Sequence, residues 1–150
     1  DLPAHKEAPA MGGTHPFLLS GGHARWSVHA MNMTNPVLLE THRGKPFMLI
    51  NDRDAAARGI AGGELVRVFN ARGSYHCTAR ISPRARVGVV NGLGVWWRKL
   101  GPRGTNVNEV TSQLLTDLGG GPTFYDCRVQ VERADVAETL SARVDQTAHA

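Results

Sequence analysis

The sequence predicts a mainly β fold, a small closed β-barrel with short helical inserts. Three observations support this fold class. The apolar runs are as short as typical strands, turns rich in glycine, proline and asparagine separate them, and the segments that favour helix are brief. The chain has 150 residues, of which 41% are hydrophobic, so it is large enough to bury the core of one domain.

The segment from Phe47 to Gly63 is the clearest architectural signal. Phe47 to Ile50 is fully apolar and predicts a strand. Asn51 can cap the helix that follows, and Gly59 can end it after about two turns because glycine readily adopts a left-handed backbone. Gly62 and Gly63 then predict a tight turn into the next strand.

A β-hairpin is predicted directly after this turn. Its strands run from Glu64 to Phe69 and from Tyr75 to Ile81. In the second strand, Tyr75, Cys77, Ala79 and Ile81 share one face, and His76, Thr78 and Arg80 share the other. Alternation with a period of two indicates a half-buried hairpin, and we expect the first set to face the core.

The remaining elements are weaker signals. Asn35 and Pro36 introduce a short helix over Val37 to Leu39, because proline fits the first helical position. Val87 to Val90 predicts a further strand, and Asn106 to Asp117 is compatible with a short helix. In the final strand, Cys127, Val129 and Val131 alternate with Arg128, Gln130 and Glu132.

The two cysteines and two adjacent tryptophans each allow two interpretations. Cys77 and Cys127 lie in alternating segments and are expected to be small buried apolar residues, with a disulfide as the less favoured alternative. Trp96 and Trp97 form either a pocket wall or interface, or an aromatic pair in the core, which we favour.

The composition along the chain predicts one domain with irregular ends. Residues 1–15 are expected to form a linker or arm, residues 16–133 the β-barrel domain, and residues 134–150 a tail. No apolar run is long enough to predict a transmembrane segment, and the N-terminus lacks the layout of a secretory signal. Without an initiating methionine, the chain is expected to be a processed product or an excised piece of a longer polypeptide.

The positive charge is concentrated before residue 106. Between Ser20 and Thr105 there are 13 lysines and arginines against 4 acidic residues, whereas from Asn106 onward there are 3 against 7. The chain has 14 arginines and 3 lysines, and arginine favours bidentate contact with phosphate or carboxylate. An anionic partner is therefore predicted. Nucleic acid is not expected, since neither a lysine-rich arm nor a series of stacking aromatic residues is present.

The segment that we call the opening loop, Gly21 to His29, is the main candidate for ligand binding. It follows the apolar run Phe17 to Leu19 and contains His23, Arg25, Trp26, Ser27 and His29. Glycines allow close approach of backbone amides, and the Arg25 guanidinium suits phosphate. The loop therefore favours an anionic, nucleotide-like ligand, and an exposed polar turn is the alternative. The spacing of the two histidines predicts no metal site.

Three stretches together resemble one known module. They are the opening loop, the segment from Asp54 to Val66, and the segment from Asn108 to Asp126. They resemble the C-terminal dinucleotide-binding domain of molybdopterin oxidoreductases of the dimethyl sulfoxide reductase family. The most similar branch contains respiratory nitrate, selenate and chlorate reductases, dimethyl sulfide dehydrogenase and ethylbenzene dehydrogenase. The resemblance runs from about His15 to about Arg133.

The resemblance implies a six-stranded double-psi β-barrel of the aspartate decarboxylase-like class. It implies that the chain holds a bis-molybdopterin guanine dinucleotide, with molybdenum or tungsten, by the pterin, pyrophosphate and nucleotide. The implied cofactor-binding residues are Gly22, His23, Arg25, Trp26, Ser27, His29, Asn108, Thr111, Asp117 and Tyr125.

The resemblance also implies that this chain alone is not catalytic. In such oxidoreductases the protein ligand to the metal and the iron–sulfur cluster lie on another segment or chain, and no residue here is assigned to metal. The implied partners are a larger catalytic polypeptide, or preceding domains, with an iron–sulfur cluster, and in addition an iron–sulfur electron-transfer subunit. The implied location is the periplasmic or cytoplasmic face of a bacterial membrane.

Two alternatives remain at the level of sequence. Gly73 and Ser74 resemble the self-cleaving bond of pyruvoyl-dependent aspartate decarboxylase, although an ordinary hairpin turn explains them better. The arginine-rich part is also compatible with a non-enzymatic module that binds an anionic partner or nucleic acid, which steep salt dependence would reveal.

Overall fold

The computed structural model of the chain describes residues 13–25, 28–31, 33–41, 44–116, 118–124 and 127–135. The strands are β1 (Phe17–Gly22), β2 (Phe47–Ile50), β3 (Leu65–Phe69), β4 (Ser74–Ile81), β5 (Val89–Leu93) and β6 (Arg128–Arg133). The α-helices are α1 (Pro36–Thr41) and α2 (Asp52–Ala56), and 3-10 helices span Arg98–Leu100, Pro102–Gly104 and Val107–Glu109. No helix within these ranges is long and apolar enough to cross a bilayer.

The strands form a closed barrel in the order β1-β5-β2-β4-β3-β6. The β1–β5 and β2–β4 pairs are parallel, and the other four pairs are antiparallel. Each parallel pair joins strands that are not consecutive in the chain, so the connections cross the barrel. The predicted fold class, a mainly β chain with a closed six-stranded barrel, is confirmed.

The core is built by the alternation that the sequence shows. Val66 and Val68 of β3 and Val129 of β6 are completely buried, because every second side chain of these strands points into the barrel. Cys77 and Cys127 are buried in the same core, and both thiols are free. The expectation that the cysteines are small core residues is thereby confirmed.

Helix α2 forms where the sequence predicts it. The Asn51 side chain accepts a hydrogen bond from the Arg53 N–H at 2.9 Å and caps the helix. At the other end Gly59 is left-handed (φ 62°), and the Ile60 N–H donates to the Ala55 carbonyl at 3.0 Å. This pattern is a Schellman motif, which satisfies carbonyls that the helix end would leave unpaired.

Two details differ from the sequence prediction. β5 begins at Val89 because Gly88 is left-handed (φ 76°) and its N–H donates to the Asp54 carboxylate at 2.8 Å, which places Val87 in the turn before the strand. In β4, His76 is 4% exposed although its face was expected to be polar, whereas Ile81 is 37% exposed. His76 is covered by the segment containing Trp96, which packs outside the barrel, and Ile81 lies at the open end of its strand.

Candidate functional site

A cavity of about 170 Å³ lies where β1 and β5 end side by side. Its floor is apolar and includes Leu19, which is buried, and Val107. Its walls come from the opening loop, from the residues that follow β5, and from the segment that we call the late stretch, Asn106 to Thr111. The barrel therefore brings together segments that are about 80 residues apart in the sequence.

One wall of the cavity consists of glycine backbone. Gly21 is the register partner of Gly92, and the Gly94 N–H donates to the Gly22 carbonyl at 2.8 Å. A Cβ atom on Gly22 would lie 2.6 Å from Leu93 Cδ2, closer than carbon atoms approach without a shift. A side chain at this position would require the Leu93 side chain to move, and glycine leaves this part of the wall without a side chain.

The opening loop contributes two imidazoles to the cavity. His23 and His29 both line it, and their ring centroids are 5.5 Å apart in an edge-to-face arrangement. His29 has a left-handed backbone (φ 51°), which is uncommon for a residue other than glycine. The two imidazoles therefore lie next to each other at the cavity.

The late stretch contributes an amide and a hydroxyl to the cavity lining. Asn108 lies in the 3-10 helix Val107–Glu109, whose start is capped by the Asn106 side chain, which accepts from the Asn108 N–H at 3.0 Å. The Thr111 hydroxyl donates to the Asn108 carbonyl at 3.2 Å. The Asn108 side-chain amide makes no hydrogen bond to the described residues, so it can donate to and accept from a ligand.

Asn70 fastens the late stretch to the barrel. Its side-chain amide donates to the Val110 carbonyl at 2.9 Å and to the Arg128 carbonyl at 3.1 Å. The Val110 side chain is itself completely buried. Because Val110 lies between Asn108 and Thr111, this anchor fixes the position of both polar side chains at the cavity.

The cavity suits a polar ligand that carries negative charge. None of the described residues that line it is an aspartate or a glutamate. Its polar groups are imidazoles, an amide, a hydroxyl and exposed glycine backbone, and the guanidinium of Arg25 lies exposed on the same loop. Such groups supply hydrogen-bond donors for phosphate oxygens and mixed donors and acceptors for a heterocycle.

Two titratable side chains of β4, Tyr75 and Cys77, are buried in the core. The Tyr75 hydroxyl would be 3.5 Å from a Cβ atom on Gly92, directly below the glycine wall. Burial raises the pKa of Tyr75 well above its ordinary value, and the neighbouring thiols of Cys77 and Cys127 raise it further. Burial also raises the pKa of the Cys77 thiol to about 12, so both groups stay neutral at physiological pH.

The predicted site residues are distributed as follows. The structure places Gly22, His23, His29, Asn108 and Thr111 around the one cavity, and Arg25 outside its wall. Trp26, Ser27, Asp117 and Tyr125 lie outside the described residues.

Sequence reasoning missed part of the wall and misread the tryptophans. Gly92 and Gly94 line the cavity, and the available signal was a pair of glycines at the end of a strand, which marks close backbone approach. Phe124 also lines it. The two tryptophans do not form a core pair, because Trp96 is 3% exposed whereas Trp97 is 41% exposed.

Comparison with known proteins identifies the domain. Residues 17–128 match the family described as "Molydopterin dinucleotide binding domain". The chain is 37% identical over 123 residues to the dimethyl sulfoxide reductase DmsA of Escherichia coli (strain K12), covering 79% of this chain and 15% of that protein. It is 32% identical over 116 residues to the respiratory nitrate reductase subunit alpha of Haloferax mediterranei, covering 77% of this chain and 12% of that protein.

The fold is also found among solved structures. The acetylene hydratase from Pelobacter acetylenicus matches with a TM-score of 0.64 at 13% identity, over 80% of this chain and 18% of that one. At that identity the likeness concerns the fold alone. The chain spans less than a fifth of the curated relatives that it matches. The resemblance inferred from the three sequence stretches is confirmed: the chain belongs to the molydopterin dinucleotide binding domain family and is such a domain of the dimethyl sulfoxide reductase family.

Proposed function

We propose that this chain holds part of a bis-molybdopterin guanine dinucleotide in the cavity between the opening loop and the late stretch, as one domain of a larger molybdenum oxidoreductase. The observation that carries the proposal is that two segments distant in the sequence line one cavity with several glycines: the opening loop supplies His23 and His29, and the late stretch supplies Asn108 and Thr111. Membership of the family indicates the kind of ligand. We propose this cavity as its binding site.

The cavity fits one section of such a ligand. At about 170 Å³ it is smaller than the pockets that enclose a whole drug-sized molecule. An elongated dinucleotide would therefore place one section in the cavity and the rest along its exposed rim. The glycines in the lining support this fit, since Gly21, Gly22, Gly92 and Gly94 place no side chain in the space that the ligand would use.

We assign the polar groups at the cavity to different parts of the ligand according to their chemistry. A pyrophosphate needs a cation and N–H donors; we assign the Arg25 guanidinium to both needs and the His23 imidazole to a further N–H. The edges of the pterin and of guanine carry both donors and acceptors, which the Asn108 amide and the Thr111 hydroxyl match. Trp26, Ser27, Asp117 and Tyr125 are proposed as further contacts on the basis of the family resemblance alone.

The role of this chain is to bind and orient. When bound, the cofactor supplies a metal centre that changes oxidation state during the reaction. The residues described here hold its organic part, and the apolar floor of Leu19 and Val107 keeps water from the buried side of the ligand. No residue of this chain is proposed to be catalytic.

The catalytic groups are proposed to lie elsewhere in a larger enzyme. The chain spans 12% and 15% of two relatives that are reductases, so most of each of those polypeptides lies outside the matched region. We place the protein ligand to molybdenum or tungsten, and the iron–sulfur cluster, in the corresponding remainder of this enzyme or in a partner subunit. Either face of a bacterial membrane is compatible with this assignment.

Replacing Asn108 tests the proposal. The N108A variant of the full-length enzyme should retain about fivefold less guanine nucleotide per polypeptide, because it loses ligand hydrogen bonds worth about 1 kcal/mol. The matched control is Gln113→Ala, since Gln113 is an exposed amide in the same region outside the cavity. Nucleotide is quantified after denaturation, and circular dichroism checks the fold. Equal nucleotide content in N108A, Q113A and the parent enzyme would contradict the proposal.

A further inference from the structure

Trp97 makes a hydrogen bond across the cavity region that no sequence pattern predicts. Its indole N–H donates to the carbonyl oxygen of Ala30 at 2.9 Å, although the two residues are 67 positions apart. Ala30 follows His29 and lies in a turn in which the Met31 N–H donates to the Val28 carbonyl at 2.9 Å. The bond therefore connects the segment after β5 to the far end of the opening loop.

The opening loop is held at both of its ends by one short segment. At the near end, the Gly94 N–H donates to the Gly22 carbonyl at 2.8 Å. At the far end, Trp97 holds Ala30. His23 and His29 lie between these two attachments. Fixing both ends of a loop removes much of its conformational freedom, so the two attachments restrict where both imidazoles can lie.

Trp97 is itself held in place by its neighbours. The preceding residue, Trp96, is 3% exposed, and its carbonyl accepts from the Asn106 side-chain amide at 2.8 Å. The ammonium of Lys99 lies 4.9 Å from the centre of a Trp97 ring, a distance at which cation–π attraction operates. The indole is thus a fixed donor toward which the loop folds.

The strained backbone of His29 explains why the loop needs this support. Its left-handed conformation (φ 51°) is sterically unfavourable for a residue with a Cβ atom. A hydrogen bond made by the next residue helps to offset that cost. Without the Trp97–Ala30 hydrogen bond, we expect the backbone at His29 to relax, which would move the imidazole away from the cavity.

We propose that Trp97 is a positioning residue, which fastens the far end of the opening loop and so keeps His29 at the cavity. The inference rests on the proposed function insofar as the loop contacts the cofactor. Trp97 does not line the cavity, so it acts through Ala30 and His29. We therefore expect its loss to reduce retention of the cofactor and to leave the strands of the barrel unaffected.

Hydrogen exchange of the loop tests this role directly. In W97F the ring is kept and the N–H donor is lost, so amides of residues 28–31 should exchange about fivefold faster in the full-length enzyme. Amides of β5 (Val89–Leu93) should be unchanged. The control is Gln113→Ala, an exposed side chain outside the cavity whose replacement leaves both Trp97 and Lys99 in place, and it should exchange at the parent rate. Unchanged exchange in W97F would overturn the proposal.

Retention of the cofactor is measured on the same samples. After prolonged dialysis, W97F should keep about fivefold less guanine nucleotide than the parent and Q113A. Faster loop exchange with equal nucleotide retention would overturn the positioning role. If the parent enzyme itself contains no nucleotide, the proposed function fails, whereas the exchange experiment still decides whether Trp97 fastens the loop.

Discussion

Individual side chains beneath the cavity behave as core residues, although their chemistry is that of reactive groups. Cys77 and Tyr75 are 1% and 4% exposed, respectively. A thiol acts as a nucleophile only when it is ionised, and burial opposes ionisation. Because the pKa of Cys77 is raised to about 12, this thiol has no reactive form at physiological pH. Any ligand in the cavity is therefore bound by the polar side chains that line it, and the buried thiol takes no part.

The raised pKa of Cys77 predicts a loss of stability in alkali. An unfolded thiol has a pKa of 9.0, and in the folded chain burial raises the value to about 12. The stabilisation is complete below the unfolded value and is lost as pH rises through the folded one. The free energy of unfolding should thus fall by up to about 4 kcal/mol over this range.

Chemical denaturation at a series of pH values measures this slope, with Cys77→Ala as the comparison. The variant is expected to be less stable at neutral pH, because a smaller side chain leaves a void in the core. Its stability should depend less steeply on pH, with Tyr75 and Cys127 responsible for the remaining slope. Parallel slopes in the two proteins would refute the assignment to Cys77.

At the scale of elements, the turn between β3 and β4 contacts the late stretch and holds it in place. Asn70 donates from this turn to the carbonyls of Val110 and Arg128. At the other end of the turn, a Cβ atom on Gly73 would lie 2.8 Å from the Glu109 carbonyl oxygen. One face of the hairpin is therefore shaped to receive the backbone of the late stretch, and this explains why Gly73 lies in the turn.

Exchanging the Asn70 amide for a carboxylate should detach the late stretch. In N70D the side chain can no longer donate, and it would face two carbonyl oxygens in a buried site, so we expect a loss of about 3 kcal/mol in the free energy of unfolding. Asn35→Asp is the matched control. The Asn35 side chain only accepts, from the Val37 and Leu38 N–H groups, and a carboxylate does this equally well.

Urea denaturation of the two variants gives the stability difference, and nucleotide content shows whether the late stretch still binds. We expect N70D to be impaired in both measurements and N35D in neither. If N70D is as stable as N35D and contains as much nucleotide, the amide donor of Asn70 does not anchor Val110.

Across the whole molecule, local periodicity could be predicted from the sequence and spatial neighbours could not. Helix α2 was predictable because Asn51 and Gly59 act on their own neighbours. The buried alternation of β6 was predictable because a strand repeats every two residues. The burial of His76 could not be predicted, because the segment that covers it lies about 20 residues further along the chain. The sequence of β4 contains no signal for this contact.

At the site, too, local features could be predicted from the sequence and spatial neighbours could not. The opening loop and the late stretch were each recognisable from their residue types, and their resemblance to one family linked them. That they face each other across Gly92 and Gly94 depends on the parallel pairing of β1 with β5, a long-range contact that leaves no local pattern. The role of Trp97 was also hidden, because its partner is a backbone carbonyl.

The central claim is that this domain holds a molybdopterin dinucleotide, and analysis of the full-length protein from its native source tests it most directly. The protein is purified without added cofactor and denatured, and its metal and released nucleotide are quantified together. We predict molybdenum or tungsten accompanied by guanine nucleotide, both reduced in N108A. Protein that contains neither metal nor nucleotide, while its barrel is folded, would contradict the account.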